Sequence, residues 1–162
     1  MLALRYAALL AVAVWLGGLI VLGAIAAPST FDVTASRQVA NDRTLAGAIF
    51  GEMLRRFHSL AYLCGGILLA SIVARKVLGP TPRPFAVRVG ISSLMLAATL
   101  YSGLVVSPKI ERLQQAIGAS PSSLPPTDSR RTIFGRLHEL SIGLQLVPMI
   151  GGLLMIFWEL RD

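Results

Sequence analysis

Two histidines, His58 and His138, are the side chains of this sequence whose type and spacing best suit cofactor chemistry. They lie 80 residues apart, and each follows an arginine by two positions, Arg56 in the first case and Arg136 in the second. A neutral imidazole binds haem iron or the magnesium of a chlorophyll-type pigment, and two imidazoles can hold one haem between them. The pair therefore predicts a shared cofactor site between two helices, with both histidines as ligands.

A simpler interpretation fits the same two histidines. Each would lie at the level of the lipid headgroups and bond a neighbouring carboxylate, such as Glu52 or Glu139. Interfacial polar side chains cost little free energy, so this interpretation is favoured over a cofactor site. No metal site is predicted, because few Met and Cys residues accompany the histidines and the single cysteine, Cys64, excludes a cluster of thiolates.

A group of arginines near the histidines has the charge to bind lipid phosphates or other anions. Its members are Arg55, Arg56, Arg130, Arg131 and Arg136. A collar of solvated, snorkelling arginines explains these residues equally well.

Groups for catalysis are not recognisable in this sequence. It contains no phosphate-binding Gly-Lys-Ser/Thr loop, and no Ser-His-Asp or paired-carboxylate arrangement lies within an apolar run. The sequence therefore predicts a protein that is not an enzyme and has no catalytic residues.

The elements that carry these residues follow from the spacing of the charges. Hydrophobic residues make up 54% of the chain and charged residues only 14%, against about a quarter in soluble domains. A helix needs about 20 apolar residues to cross a bilayer core of about 30 Å. The apolar runs predict spans at about 5–27, 57–78, 85–107 and 137–159. The fold class is thus an all-α membrane protein, with residues 1–162 forming one bundle of four transmembrane helices.

The first run has a second interpretation, as a signal peptide. Arg5 precedes it, and Ala24-Ile25-Ala26 resembles a small-residue cleavage site. The apolar stretch from Tyr6 to Ala27 is longer than a usual signal core of about 7–15 residues. We therefore expect a retained first helix.

The charges beside the runs predict the orientation in the membrane. One side carries nine basic residues over two long loops that also hold six acids, whereas the other carries Arg5, Arg161 and a dense basic turn at 75–88. Charge density favours a cytoplasmic position for both termini, in a bacterial cytoplasmic membrane. The net charge of +7 lies at the ends of apolar runs rather than on one helical face, which argues against nucleic-acid binding.

Helical extensions are expected on the side opposite the termini. They cover about 43–57, 109–117 and 129–137. Asp42 and Asp128 are placed to cap helix starts, and Gly118 is placed to end a helix. The first extension carries an apolar stripe of residues at helical spacing, Leu45, Ile49, Met53 and Phe57.

The two halves of the chain echo each other. Several residues recur after 80 positions: Gly23, Pro28, Arg56 and His58 recur as Gly103, Pro108, Arg136 and His138. This pattern predicts two repeated helical hairpins, each with a first helix that ends at its proline, related by a pseudo-two-fold axis along the membrane normal.

Glycines within the predicted spans indicate close packing between helices, because small residues let backbones approach. They are Gly17, Gly18, Gly23, Gly65, Gly66, Gly103, Gly151 and Gly152.

A family resemblance rests on three segments of the first half. Residues 14–18 read Val-Trp-Leu-Gly-Gly, Ala27-Pro28 follows with Phe31, and Ala46-Gly47 leads to the Arg-Arg-Phe-His sequence at 55–58. Together they resemble the bacterial relatives of transmembrane protein 205, a domain family of unknown function. The Trp-Leu-Gly-Gly segment also resembles part of the copper resistance protein D family, without that family's surrounding histidines. The resemblance implies four spans and no established active site.

Three functions are compatible with these features. The favoured one is a structural or accessory subunit of a larger membrane complex, whose partners are the lipid bilayer and other membrane-protein subunits. The alternatives are a haem- or chlorophyll-binding protein that uses His58 and His138, and a small transporter or efflux component. The spans hold few polar groups beyond Ser, Thr, Tyr62 and Gln145, which disfavours transport.

Overall fold

The computed structural model describes residues 2–37, 42–79 and 83–161, and four long helices account for most of them. The helices are α1 (Leu2–Ser36), α2 (Asp42–Leu78), α3 (Phe85–Ile117) and α4 (Ser129–Arg161). Each is long and apolar enough to cross a membrane, and no strand occurs in the described ranges. The predicted all-α fold with four transmembrane helices is confirmed, and the chain is a multi-pass membrane protein.

The four helices form a closed ring in the order of the sequence. α1 packs against α2 and α4, and α3 packs against the same two helices. The interior is filled by apolar side chains, including the fully buried Trp15, Leu68, Met95 and Met155. Burying one such side chain away from water contributes about 1.5–3 kcal/mol to the free energy of folding. Between helices in a bilayer, close packing contributes more than transfer from water.

α1 and α3 continue through the two prolines at which the sequence predicted their ends, so that prediction is wrong. Proline lacks an N–H and its ring clashes with the carbonyl four residues earlier in a regular α-helix. Just before each proline the helix widens into a π-helical segment, Leu22–Ala26 in α1 and Ser102–Val106 in α3. In these segments the N–H of Ala27 donates to the carbonyl of Leu22, five residues back, and Ser107 donates likewise to Ser102.

The wide turns explain why the prolines are tolerated. Pro28 and Pro108 each lie in the first turn of the α-helix that follows the π segment. The missing proline N–H costs no helical hydrogen bond there, because the wide turn has already interrupted the regular bonding of each N–H to the carbonyl four residues earlier. The two π segments start 80 residues apart, as do the two prolines. Duplication of a hairpin stays a prediction, and this shared backbone irregularity supports it.

The predicted helix ends at Gly118 and Asp128 are confirmed, whereas Asp42 is the first described residue of α2 and its role as a cap stays a prediction. The carboxylate of Asp42 accepts a bond from the Arg43 N–H at 2.6 Å, and that of Asp128 accepts one from the Arg130 N–H at 2.8 Å. Gly118 ends α3 with a φ of 66°, a left-handed conformation that favours glycine, and its N–H donates to the Gln114 carbonyl.

Protonating Asp128 is expected to loosen the start of α4. The Arg130 side chain and backbone N–H both bond this carboxylate, and they hold the pKa of Asp128 below its usual value. A lowered folded pKa means that the cap is fully present above the unfolded pKa and is lost as pH falls through the folded one. The protection factors of the 129–132 amides, corrected for the intrinsic pH dependence of exchange, should therefore fall in acid and in Asp128→Ala. Asp128→Asn, which retains a capping oxygen, should stay protected, and fast exchange in that variant would contradict this account.

The helices are longer than a bilayer core requires. At 1.5 Å per residue the 37 residues of α2 span about 55 Å, against a core of about 30 Å. The excess lies mainly on one side, where residues 28–36, 42–56 and 108–136 form a helical structure that we call the cap. The opposite end of the bundle, which we call the closed end, holds Arg5, Arg75, Arg88 and Glu159.

Candidate functional site

His58 lies inside the bundle, where α2 meets the π segment of α3. Its imidazole is buried and stacks on Tyr62 of the next turn, with the ring centroids 6.2 Å apart. A Cβ atom on Gly103 would clash with the Tyr62 hydroxyl and would lie 2.9 Å from the His58 ring. The absence of a side chain at Gly103 is therefore what lets the two rings pack against α3.

His138 has different surroundings. It is exposed on α4 and stacks on Phe134, with the ring centroids 6.0 Å apart and the rings nearly parallel. The glycine that corresponds to Gly103 in the other half is Gly23, and a Cβ atom there would meet nothing within 4 Å. The two histidines are equivalent in the sequence pattern but not in their packing.

The predicted sharing of one cofactor by His58 and His138 is not favoured by this geometry. One ring is enclosed by α2 and α3, whereas the other lines an open cleft on the cap, and no described contact joins them. Neither ring bonds Glu52 or Glu139 within the described contacts. Glu52 is instead engaged by Arg55 and Arg56, so that part of the simpler interpretation is wrong.

The cleft beside His138 opens between the helical extensions of the cap. Its volume is about 630 Å³, within the range of small-molecule sites. Its walls come from the end of α1, the start of α2, residue Gln114 of α3, the loop at 120–122 and the start of α4. Two phenylalanines, Phe31 and Phe134, and several charged side chains face it.

The arginines predicted to bind anions are mostly engaged by the protein itself. Arg55 and Arg56 pair with Glu52 at 2.7 Å, and Arg130 pairs with Asp128 at 2.7 Å. Arg131 donates to the Leu124 carbonyl and lines the cleft. Arg136 is exposed and makes no hydrogen bond in the described part of the chain.

The strongest polar cluster, which the sequence did not predict, lies at the closed end. The carboxylate of Glu159 accepts hydrogen bonds from the guanidinium groups of Arg75 and Arg88, each at 2.7 Å. Arg5 donates to the Glu159 main-chain carbonyl at 2.8 Å. One residue from each of the four helices therefore meets at this point, and we call the group the Glu159 cluster.

The Glu159 cluster is enclosed by the bundle. Glu159 is 0% exposed, Arg88 1% and Arg75 6%. Arg88 also donates to the main-chain carbonyls of Arg83 and Trp158, and its guanidinium lies 6.0 Å from the centre of the Trp158 ring. Charges buried in this way are tolerated only when they are paired and hydrogen-bonded, as they are here. Glu159 thus holds Arg75, the first residue of the basic turn at 75–88, inside the bundle.

A signal for this cluster was present in the sequence. Glu159 is an acidic residue at the end of an otherwise apolar run, and ionisable residues at the edge of a span commonly have a partner across the bundle. Arg75 and Arg88 flank a short turn, where they resemble ordinary topology-determining charges. Only the tertiary structure shows that they point inward.

The glycines predicted to support packing fall into two groups. A Cβ at Gly18, Gly65, Gly103 or Gly151 would come within 3 Å of a neighbouring side chain, and one at Gly152 would make ordinary contacts from 3.6 Å. The remaining three are Gly17, Gly23 and Gly66, where a Cβ would meet nothing within 4 Å. No neighbouring helix of this chain therefore packs closely against these three glycines.

Comparison with known proteins gives one family. Residues 10–119 match the profile of the family described as Domain of unknown function (DUF4149). No curated protein matches the chain significantly. No solved structure matches it either.

Proposed function

The chain belongs to the family described as Domain of unknown function (DUF4149), and we propose that it is a non-catalytic structural or accessory subunit of a larger membrane complex. The single observation that carries the proposal is an uncovered apolar stripe on the cap. Leu45, Ile49 and Met53 of α2 are 42%, 37% and 41% exposed. These three residues are not part of the buried core, whereas Phe57, the next residue at the same spacing, is part of it.

The position of the stripe makes it informative. Exposed apolar residues within a span contact lipid and need no other cover. The stripe instead lies on the part of α2 that extends about 25 Å beyond a bilayer core of about 30 Å. One shallow depression is lined by Ala48, Ile49 and Met53 together with the ion pair of Glu52 and Arg56. An apolar strip bordered by an ion pair is typical of a surface that another protein covers.

The interior of the bundle favours a structural role over transport. Apolar side chains fill most of it, with Ser92, Thr99 and Ser102 of α3 also buried there, and the Glu159 cluster joins all four helices at the closed end. A transport path would require these contacts to open in every cycle. A cofactor held by both histidines is disfavoured by their different surroundings. The closer relation to the transmembrane protein 205 family, the bacterial cytoplasmic membrane and cytoplasmic termini remain predictions.

Photo-crosslinking in the native membrane tests the proposal. A photoreactive residue at Ile49 or Met53 should give an adduct with a different polypeptide. The same probe at Ile133, which is exposed and apolar on the start of α4, provides a matched control and should give much less. Equal adducts at all three positions, adducts only with lipid, or adducts only with a second copy of this chain would overturn the proposal.

A further inference from the structure

His58 is enclosed where α2 meets the π segment of α3, and we call the contact of His58 and Tyr62 with Gly103 the α2–α3 seam. His58 is 5% exposed, and its ring lies against the backbone of Gly103. Tyr62 stacks on this ring, but neither imidazole nitrogen makes a hydrogen bond in the described part of the chain. A neutral imidazole tolerates such surroundings at a much lower cost in free energy than an imidazolium, whose charge and two N–H donors would lack a partner.

The charged groups of α2 near His58 would not stabilise an imidazolium. Arg55, about one turn earlier on the same helix, is itself positive. The nearest acid of this helix, Glu52, is already bonded by Arg55 and Arg56, each at 2.7 Å. Tyr62 is a phenol and supplies no negative charge in acid. Protonating His58 therefore adds positive charge at a place where α2 offers no free acid.

The other helices bring no acid to the seam within the described ranges. α3 carries one titratable side chain between residues 88 and 109, the exposed Tyr101, which is also a phenol. α1 has no titratable side chain between residues 6 and 32. The titratable residues at the corresponding level of α4 are exposed and make no described contact with His58: Arg136, His138 and Glu139.

The α2–α3 seam can open while the closed end stays together. Glu159 bonds both Arg75 of α2 and Arg88 of α3 there, each at 2.7 Å, and a short turn joins the two helices. Near His58, by contrast, the described contact between the helices is the packing of two rings on Gly103, within a π-helical segment. Such segments are frequent at functional sites. A charge on the His58 ring therefore acts where the two helices meet through packing and not through ion pairs.

We propose that His58 is a pH-sensitive switch of the α2–α3 seam, which is closed around a neutral imidazole and opens when the ring is protonated. The open state exposes the imidazolium to water or lipid headgroups, which solvate it. It therefore binds one proton more than the closed state, so the closed state is stabilised as pH rises and is lost as pH falls. A solvated imidazole titrates near pH 6.5, which places the opening below about pH 6.5. One proton changes the ratio of open to closed molecules by at most about tenfold per pH unit.

Distances between two spin labels, measured on the full-length protein in lipid nanodiscs, test the switch without any partner chain. The labels are attached through Ser59→Cys on α2 and Leu104→Cys on α3, both at exposed positions beside the seam, in a Cys64→Ala background. At about pH 8 one distance is expected, and below about pH 6.5 a second, longer distance should appear. The ratio of the longer to the shorter population should grow by up to about tenfold per pH unit.

Two uncharged replacements of His58 remove the group that titrates. His58→Gln and His58→Phe differ in size and polarity, and both should keep the shorter distance down to about pH 5, where a solvated imidazole is almost fully charged. His138→Gln is the matched control, because His138 occupies the equivalent position in the sequence pattern but is exposed. The His138→Gln protein should open over the same pH range as the original.

Three results would overturn the inference. A distance that stays the same from about pH 8 to about pH 5 in the protein that retains His58 would exclude the switch. Lengthening that persists in an uncharged variant would assign the transition to another group. Loss of the lengthening in His138→Gln would place the sensor at the exposed histidine. If one of the two uncharged variants fails to fold, as judged by its circular dichroism, the other provides the decisive comparison.

Discussion

Replacing Glu159 with glutamine lowers the free energy of unfolding by about 3–5 kcal/mol, the usual cost of removing one partner from a buried ion pair. The amide is nearly isosteric with the carboxylate, so the loss reports charge rather than volume. Arg75 and Arg88 would stay in the bundle without the carboxylate that both contact at 2.7 Å. Unfolding by SDS titration in mixed micelles, followed by circular dichroism, measures the change.

Glu139→Gln is the matched control for this experiment. Glu139 is an exposed acid on the same helix, and it makes no ion pair in the described part of the chain. Its replacement should change stability by less than about 0.5 kcal/mol. Combining Glu159→Gln with Arg88→Gln should cost less than the sum of the two single changes, because they break the same contact. Strict additivity, or a Glu159→Gln protein as stable as the original, would contradict the account of the Glu159 cluster.

Replacing Gly103 with alanine destabilises the fold by about 1–3 kcal/mol, as overpacking of a filled interior usually does. The new methyl group would meet the Tyr62 hydroxyl and the His58 ring, so α2 and α3 must separate or both rings must move. The same unfolding titration measures the loss. Tyr62→Phe in the Gly103→Ala background should restore part of the stability, because it removes the atom closest to the new methyl group.

Gly23→Ala tests whether this effect is specific to packing. Gly23 lies in the π segment of α1 at the position that corresponds to Gly103, and nothing lies within 4 Å of a Cβ there. Alanine is also the better helix former by about 0.5–1 kcal/mol. The Gly23→Ala protein should therefore be at least as stable as the original. Equal destabilisation by the two substitutions would mean that the π-helical backbone requires glycine at both positions. The packing of His58 and Tyr62 against Gly103 would then not explain the effect.

The membrane fold could be predicted because it depends on local properties of the chain. Long apolar runs form spanning helices, since every backbone polar group within a bilayer must be satisfied inside its own helix. The ends at Gly118 and Asp128 were predictable for a similar reason, because capping depends on one side chain and the adjacent backbone. These features require no knowledge of neighbouring helices.

The features that the sequence did not predict depend on contacts between helices. Arg75 and Glu159 are 84 residues apart, and nothing near either one reveals that the two meet. The prolines were interpreted by their local effect, whereas the π segments beside them restore the helix. His58 and His138 look equivalent along the chain, but the glycine opposite each has different neighbours.

The structure separates the chain into two parts with different properties. The bundle is packed with apolar side chains and is joined by the Glu159 cluster at the closed end. The cap carries the uncovered stripe of Leu45, Ile49 and Met53 and, elsewhere, the charged cleft beside His138. This division is compatible with the proposed role of an accessory subunit, in which the bundle would support binding surfaces on the cap.

The composition of particles extracted directly from the native membrane, without detergent, tests the central claim most directly. If the chain is an accessory subunit, mass spectrometry of these particles should find this 17.3 kDa chain together with a second, different polypeptide in a fixed ratio. Ile49→Ser with Met53→Ser should release the second polypeptide, whereas Ile133→Ser should retain it. Particles that contain only this chain and lipid, from cells grown under several conditions, would contradict the claim.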